Sequence, residues 1–260
     1  MALKLAYQSP LDHQDLVGSQ KALILGSSLG TNAEAWTPAL KFIGDDIKPL
    51  VYDLPGHGNS APNPEWSISE VADAVVALAD ELELRAFSFA GVSISGQVGI
   101  DLAIRYPDRL HALVAICTSP KISDRQFWDE RIENVSQFGL DEVVEETQRS
   151  WFSEKFQERK PEVVSASLQQ LRQIDRSSYL AACRAIDAYD AWPLLPKLEV
   201  PTLLIHGEQD DVVSFDSLER ACALIPDCGL IQIGGVKHQA HLEAPEVIMK
   251  HISFYARKFR

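Results

Sequence analysis

A serine hydroxyl attacks a carbonyl only when a base removes its proton, and a histidine serves as that base when a carboxylate fixes its tautomer. The chain holds a candidate for each part. Gly91-Val92-Ser93-Ile94-Ser95-Gly96 sits where an apolar stretch gives way to a helical one. A G-x-S-x-G turn in that setting holds its serine on a strained bend, and small neighbours let strand and helix approach closely. Ser95 stands where the second glycine would be, with Gly96 one place later. Asp210 lies in His206-Gly207-Glu208-Gln209-Asp210 and His238 in Gly235-Val236-Lys237-His238, giving the chain order serine, acid, histidine. Asp211 is a neighbouring alternative, but the G-x-x-D spacing from Gly207 favours Asp210. His241 rivals His238, but it lies in the lead-in to the last helix. His57, in a Pro-Gly-His-Gly turn, reads as a turn residue satisfied by backbone and Asp53. His13, His111, His206 and His251 read as ordinary surface or core residues. The four cysteines and seven histidines show no metal-ligand spacing, so no metal is expected, and nucleophilic catalysis by a serine needs no organic cofactor.

These residues need a scaffold. Residues 21–25, 49–52, 86–92, 110–117, 200–205 and 230–233 are short apolar runs that read as buried strands. Helical patterns fall at 34–42, at 67–82 (capped by Ser67 or Ser69), at 95–106 (stopped by Pro107) and at 245–258. Strands alternating with helices predict a mostly parallel, doubly wound sheet. Asp210 and His238 then follow C-terminal strand ends, the edge where open α/β sheets place their sites. From 121 to 190 the rhythm breaks. Helices at 141–151, 161–174 and 178–188 are expected there, with no strand. The arrangement is therefore a discontinuous core, 1–120 and 191–260, with a helical cap insertion at 121–190.

The chain has 260 residues, 24 Lys+Arg against 37 Asp+Glu, and a formal net charge of -13. That balance disfavours nucleic acid and anionic membrane surfaces as partners. No apolar run approaches the ~20 residues of a transmembrane helix, and residues 1–20 do not read as a signal peptide. Cys117, Cys183, Cys222 and Cys228 show no C-x-x-C spacing and are expected as reduced thiols in a cytoplasmic protein. Neither 26–30 nor 91–96 has the G-x-G-x-x-G spacing of a dinucleotide site.

With Ser93, Asp210 and His238 in place, the chain resembles the α/β-hydrolase superfamily over essentially its whole length. Asp53-Leu54-Pro55-Gly56-His57-Gly58-Asn59-Ser60 is similar to that superfamily's D-x-x-G-x-G-x-S turn. Gly26-Ser27-Ser28-Leu29-Gly30-Thr31, followed by Trp36, is similar to the S-N-S-L-G-T loop of 3-oxoadipate enol-lactonases. Trp151-Phe152, Tyr179, Cys183 and Ala185-Ile186 ahead of Pro201-Thr202-Leu203 add to the likeness. Gly26-Ser27 departs from that family's Ser-Asn, and Ser95 from its usual glycine.

The resemblance implies an α/β-hydrolase fold and a serine hydrolase of the cytoplasm that opens a lactone or ester, with 3-oxoadipate enol-lactone, met in aromatic degradation, as the favoured substrate. It implies an oxyanion hole from the backbone N–H groups of Ile94 and Ser28, with Ser27 as the neighbouring alternative to Ser28 and itself a candidate substrate contact. Trp128, Trp151 and Phe152 would line the pocket, and Arg131, Arg149 or Arg184 would meet a substrate carboxylate. A carboxylesterase or C–C bond hydrolase with the same residues is the alternative, and a non-catalytic ligand-binding module a more remote one. Haloalkane dehalogenases and epoxide hydrolases of this fold would need Asp at position 93. A net charge of -13 repels an anion at long range, so a carboxylate-bearing substrate demands a local cation.

Overall fold

A computed structural model describes residues 3–122 and 124–259. Among the described residues, seven strands form one sheet: β1 (Tyr7–Gln8), β2 (Ala22–Gly26), β3 (Lys48–Tyr52), β4 (Phe87–Val92), β5 (Leu110–Ile116), β6 (Thr202–Gly207) and β7 (Cys228–Ile233). Their spatial order is β1-β3-β2-β4-β5-β6-β7. Only β1 runs antiparallel, pairing Tyr7 with Tyr52. The sequence reading lacks this two-residue edge strand, which is too short to show a period.

The strands are apolar along their length because both faces are covered. In β2, Ala22 and Ile24 join one core cluster, while Leu23 and Leu25 join the other. Helices α1 (Ile68–Glu81) and α2 (Ile94–Arg105) pack against each other on the first face. The second face is covered by α9 (Pro245–Lys258), through Ile248, Met249 and Ile252, together with Trp36 and Ala39. Ser67 starts α1 with a reciprocal capping box to Glu70, a feature whose loss typically costs about 1 kcal/mol. The helix read at 34–42 is instead a 3-10 turn, Ala33–Trp36, running into Thr37–Leu40, where Pro38 takes an early position.

Between β5 and β6 the chain is helical: α3 (Arg125–Phe138), α4 (Val144–Trp151), α5 (Glu154–Arg159), α6 (Pro161–Gln173) and α7 (Arg176–Ala188). Helix α3 packs along α7, and α4 along α6. Helix α8 (Phe215–Leu224) follows β6. Among the described residues, no helix is long and apolar enough to cross a membrane.

One expectation about cysteine is corrected. Cys222 on α8 and Cys228 at the start of β7 form a disulfide, their Cα atoms 5.4 Å apart. The two are six residues apart in sequence, and the turn from α8 into β7 folds them together, which a search for C-x-x-C overlooks. Cys117 and Cys183 are free and buried.

Candidate active site

The chain leaves β2 toward β3 on one side and returns to pair β4 on the other, so the sheet's switch point lies between β2 and β4. Gly26 and Gly91 are partners across that junction. The loops that follow, carrying Ser27-Ser28 and Ser93, therefore emerge side by side. Asp210 and His238 follow the next paired ends, Gly207 of β6 and Ile233 of β7.

Ser93 has φ 56° and ψ −119°, a left-handed conformation that costs a non-glycine residue on the order of 1–3 kcal/mol. The surroundings hold it there. Its N–H donates to Ile116 O at 2.8 Å, and its carbonyl accepts from Gly96 N–H and from the Thr118 hydroxyl, each at 2.8 Å. A Cβ at Gly91 would come within 2.3 Å of the Ser95 carbonyl oxygen, and one at Gly96 within 2.5 Å of Thr118. The small residues are demanded by this crossing.

His238 Nδ1 lies 3.0 Å from Asp210 Oδ2 and 3.1 Å from Oδ1, with both side chains buried. Asp210 Oδ1 also accepts from the Val212 N–H at 2.9 Å and the Val213 N–H at 3.3 Å. Burial pushes the Asp210 carboxyl up, but the His238 charge and hydrogen bond, with the two amides, outweigh it and hold it below its ordinary range. An ionised carboxylate only accepts, so Nδ1–H is the donor of this pair, and Nε2 is the ring nitrogen whose lone pair is left to take a proton. Cys117 Sγ joins Asp210 and His238, with ligand atoms of all three within 4.8 Å. Burial and then the Asp210 charge push this thiol well above its usual value. Metal ligation needs a thiolate, which this setting disfavours.

Ser93 and His238 open onto one small cavity of about 50 Å³. Ser28 and Leu29 form part of its wall on the sheet side, and Trp128, Arg131, Trp151 and Tyr179 part of it on the helical side. The helical segment is tied to the histidine loop. The Gln239 N–H donates to Trp151 O at 3.0 Å, and Glu243 accepts from the N–H groups of Lys237 and Ser153. Ile94, buried directly after the nucleophile candidate, begins α2.

The remaining sequence candidates lie elsewhere. Ser27 is buried but absent from the cavity wall. Its hydroxyl donates to Asn32 O and its carbonyl accepts from Ser95, because the chain turns there to close against the elbow. Arg184 does not line the cavity and donates to Pro64 O at 3.1 Å. Arg149 lines an adjoining cleft with Lys237, and Phe152 stacks on Phe156. His57 donates through Nδ1 to Pro55 O at 3.0 Å and accepts the Gly30 N–H at Nε2, 3.3 Å away. Its partners are thus backbone groups, while Asp53 caps the amides of Ala33 and Asn59. His241 is fully buried, packed on Trp36 at 4.7 Å between ring centroids. Phe127 and Val212, which also line the cavity, and Tyr52, which donates to Ser95, have no counterpart among the sequence candidates. Only Tyr52 carried a signal, a polar ring at the end of a buried strand.

A seven-stranded, mostly parallel sheet with a serine elbow, an acid–histidine pair at successive strand ends and a helical insertion defines an α/β hydrolase. The chain belongs to the alpha/beta hydrolase family, which it matches over residues 23–250. Within it, the chain is 30% identical to 3-oxoadipate enol-lactonase 2 of Acinetobacter baylyi, over 92% of this chain and 89% of that protein. It is 26% identical to 3-oxoadipate enol-lactonase 1 of the same organism, over 92% of this chain and 90% of that one. The enol-lactonase structure from Burkholderia xenovorans superposes with a TM-score of 0.92 at 25% identity, covering 99% of both chains.

Proposed function

We propose that this protein is a serine hydrolase that opens a small carboxylate-bearing lactone, 3-oxoadipate enol-lactone or a close analogue, through an acyl-Ser93 intermediate. His238 Nε2 takes the Ser93 proton while Asp210 holds Nδ1–H and stabilises the imidazolium. Ser93 Oγ bonds to the lactone carbonyl carbon, and the resulting oxyanion accepts the N–H groups of Ser28 and Ile94. Collapse breaks the ring C–O bond. The departing enolate takes the proton back from His238 and becomes a ketone. His238 next deprotonates water, whose oxygen bonds to the acyl carbon. Collapse breaks the bond to Ser93 Oγ, which takes the proton back from His238, and the product leaves with its second carboxyl group.

Arg131 is the observation that carries the lactone reading. Its side chain is only 11% exposed and lines the same cavity as Ser93 and His238. Its Nε donates to the Tyr179 hydroxyl at 2.9 Å, one terminal nitrogen to Thr147 at 2.7 Å and the other to Glu146 at 3.3 Å. Five N–H donors share three partners, leaving two for a carboxylate. An adjoining cleft shares Arg131 and adds Arg149 and Lys237 against Glu146 and Asp211, a local cationic approach on an acidic protein. The names of the enol-lactonase relatives point to the same substrate class.

The test is a substrate panel on the wild type, Ser93→Ala and Arg131→Met. The wild type opens the enol-lactone, and Ser93→Ala abolishes turnover. Arg131→Met lowers kcat/KM for the lactone about 10–100-fold, the worth of hydrogen bonds to a charge, while neutral aryl esters change far less. Turnover of aryl esters without lactone opening would make it an esterase instead. Activity in Ser93→Ala would remove the nucleophile.

A further inference from the structure

Ser95 occupies the place where the resembling motif carries glycine, and its hydroxyl is fully buried between two elements of the site. Ser95 Oγ donates to the Ser27 carbonyl at 2.6 Å and accepts the Tyr52 hydroxyl at 2.9 Å. The Ser27 carbonyl belongs to the same planar peptide as the Ser28 N–H, and in a trans peptide the two point in opposite directions. Fixing one end of that unit therefore aims the other. Ser28 borders the cavity that holds Ser93. We infer that Ser95 and Tyr52 are positioning residues of the oxyanion hole, a hydroxyl relay that anchors the Ser27–Ser28 peptide so that its N–H faces the reacting carbonyl. This rests on the serine-hydrolase reading above.

Three features of the structure support the relay. Gly26 leaves the room it needs, because a Cβ there would lie 2.6 Å from both Ser95 Cβ and the Tyr52 hydroxyl. The Tyr52 proton occupies a Ser95 lone pair, which directs the Ser95 proton to Ser27. Chained hydrogen bonds in a dry interior also polarise one another, strengthening the final bond and the N–H dipole on the far side of the peptide. Neither hydroxyl borders the cavity, so the pair acts through the loop and not on substrate.

The test compares Ser95→Gly, Ser95→Ala and Tyr52→Phe in the full chain, with folding checked by circular dichroism and thermal melting. Steady-state kinetics use an aryl acetate and the lactone. Binding uses an alkyl trifluoromethyl ketone, whose serine adduct carries an oxyanion. Ser95→Gly lowers kcat about tenfold, less than deletion of a donor itself, and weakens the ketone by a matching factor with KM nearly unchanged. Tyr52→Phe moves both the same way by less. Wild-type kcat and ketone affinity in folded Ser95→Gly overturn the inference, as does a fall in kcat with ketone affinity unmoved. If the Ser95 variants fail to fold, Tyr52→Phe decides by the same two readouts. A wild type inactive on every ester and lactone removes the hydrolase reading and the relay together, whereas an active wild type with unaffected variants removes only the relay.

Discussion

The Asp210 carboxylate presents both oxygens to one nitrogen of His238, at 3.0 and 3.1 Å, while Asp211 turns away to Lys237. Two adjacent carboxylates thus meet different fates. Asp210 is buried and braced by two amides, and Asp211 keeps 58% of its side chain exposed in a surface ion pair. Asp210→Asn offers an amide in place of the acceptor and favours the wrong tautomer, so kcat falls on the order of 10⁴-fold. Asp211→Asn removes an exposed pair worth about 0–1 kcal/mol and leaves kcat within a few-fold. Steady-state kinetics on the two variants check this, and a larger loss at Asp211 reverses the assignment.

Two buried histidines shape the acid stability of the fold. Burial lowers His241 to about 3, helped by the nearby His238 charge. His57 falls to about 4, again by burial, with its bond to Pro55 opposing. Both folded values lie below the ordinary value of 6.5, so the unfolded chain binds more protons as pH drops. Their contribution is complete above about pH 6.5 and is lost progressively below it, down to about 4 for His57 and about 3 for His241. Each contributes up to about 1.4 kcal/mol per pH unit within its window. Asp210 adds its loss lower, because its folded carboxyl lies below the ordinary range. Neither ring nitrogen of His241 has a partner among the described residues, so His241→Phe deletes a buried base without orphaning another group. Urea unfolding between pH 6.5 and 4.5 then shows a flatter decline than wild type. Parallel declines in the two proteins would mean that His241 does not set the acid limb.

What the sequence made legible follows from what each feature depends on. The buried strands are visible because two covered faces force continuous apolar runs. The candidates Ser93, Asp210 and His238 stand out because each follows a strand end in fixed chain order. The edge strand Tyr7–Gln8 pairs over only two residues, too few to show an alternating side-chain pattern. The choice of Ser28 over Ser27 rests on loop likeness alone in the sequence, because which of two adjacent serines faces the cavity is decided by Ser95 and Asn32 across the loop. Arg131 could not be told from Arg149 or Arg184, since only the packing of α3 on α7 puts it against Tyr179. The Cys222–Cys228 pair likewise depends on a turn geometry that cysteine spacing does not encode.

The elbow itself can be tested by adding a single methyl group. The Cβ of an alanine at Gly91 would meet the Ser95 carbonyl oxygen at 2.3 Å, the Ser95 carbonyl carbon at 2.4 Å and the Gly96 nitrogen at 2.8 Å, all of them backbone atoms. A flexible side chain can rotate aside, but these atoms move only if α2 shifts away from β4. Overpacking of this kind typically costs about 1–3 kcal/mol, and a rigid backbone neighbour places Gly91→Ala at the upper end. The shift also displaces the Ile94 N–H relative to Ser93. Gly91→Ala is therefore expected to lower both the urea midpoint and kcat, and the kcat loss persists at temperatures where the variant is fully folded. Gly139→Ala is the control, because its Cβ meets nothing within 4 Å, and its φ of +90° gives a purely conformational cost. That variant loses some stability and keeps its kcat. A Gly91→Ala protein with wild-type midpoint and turnover would show that strand and helix do not cross as closely as described.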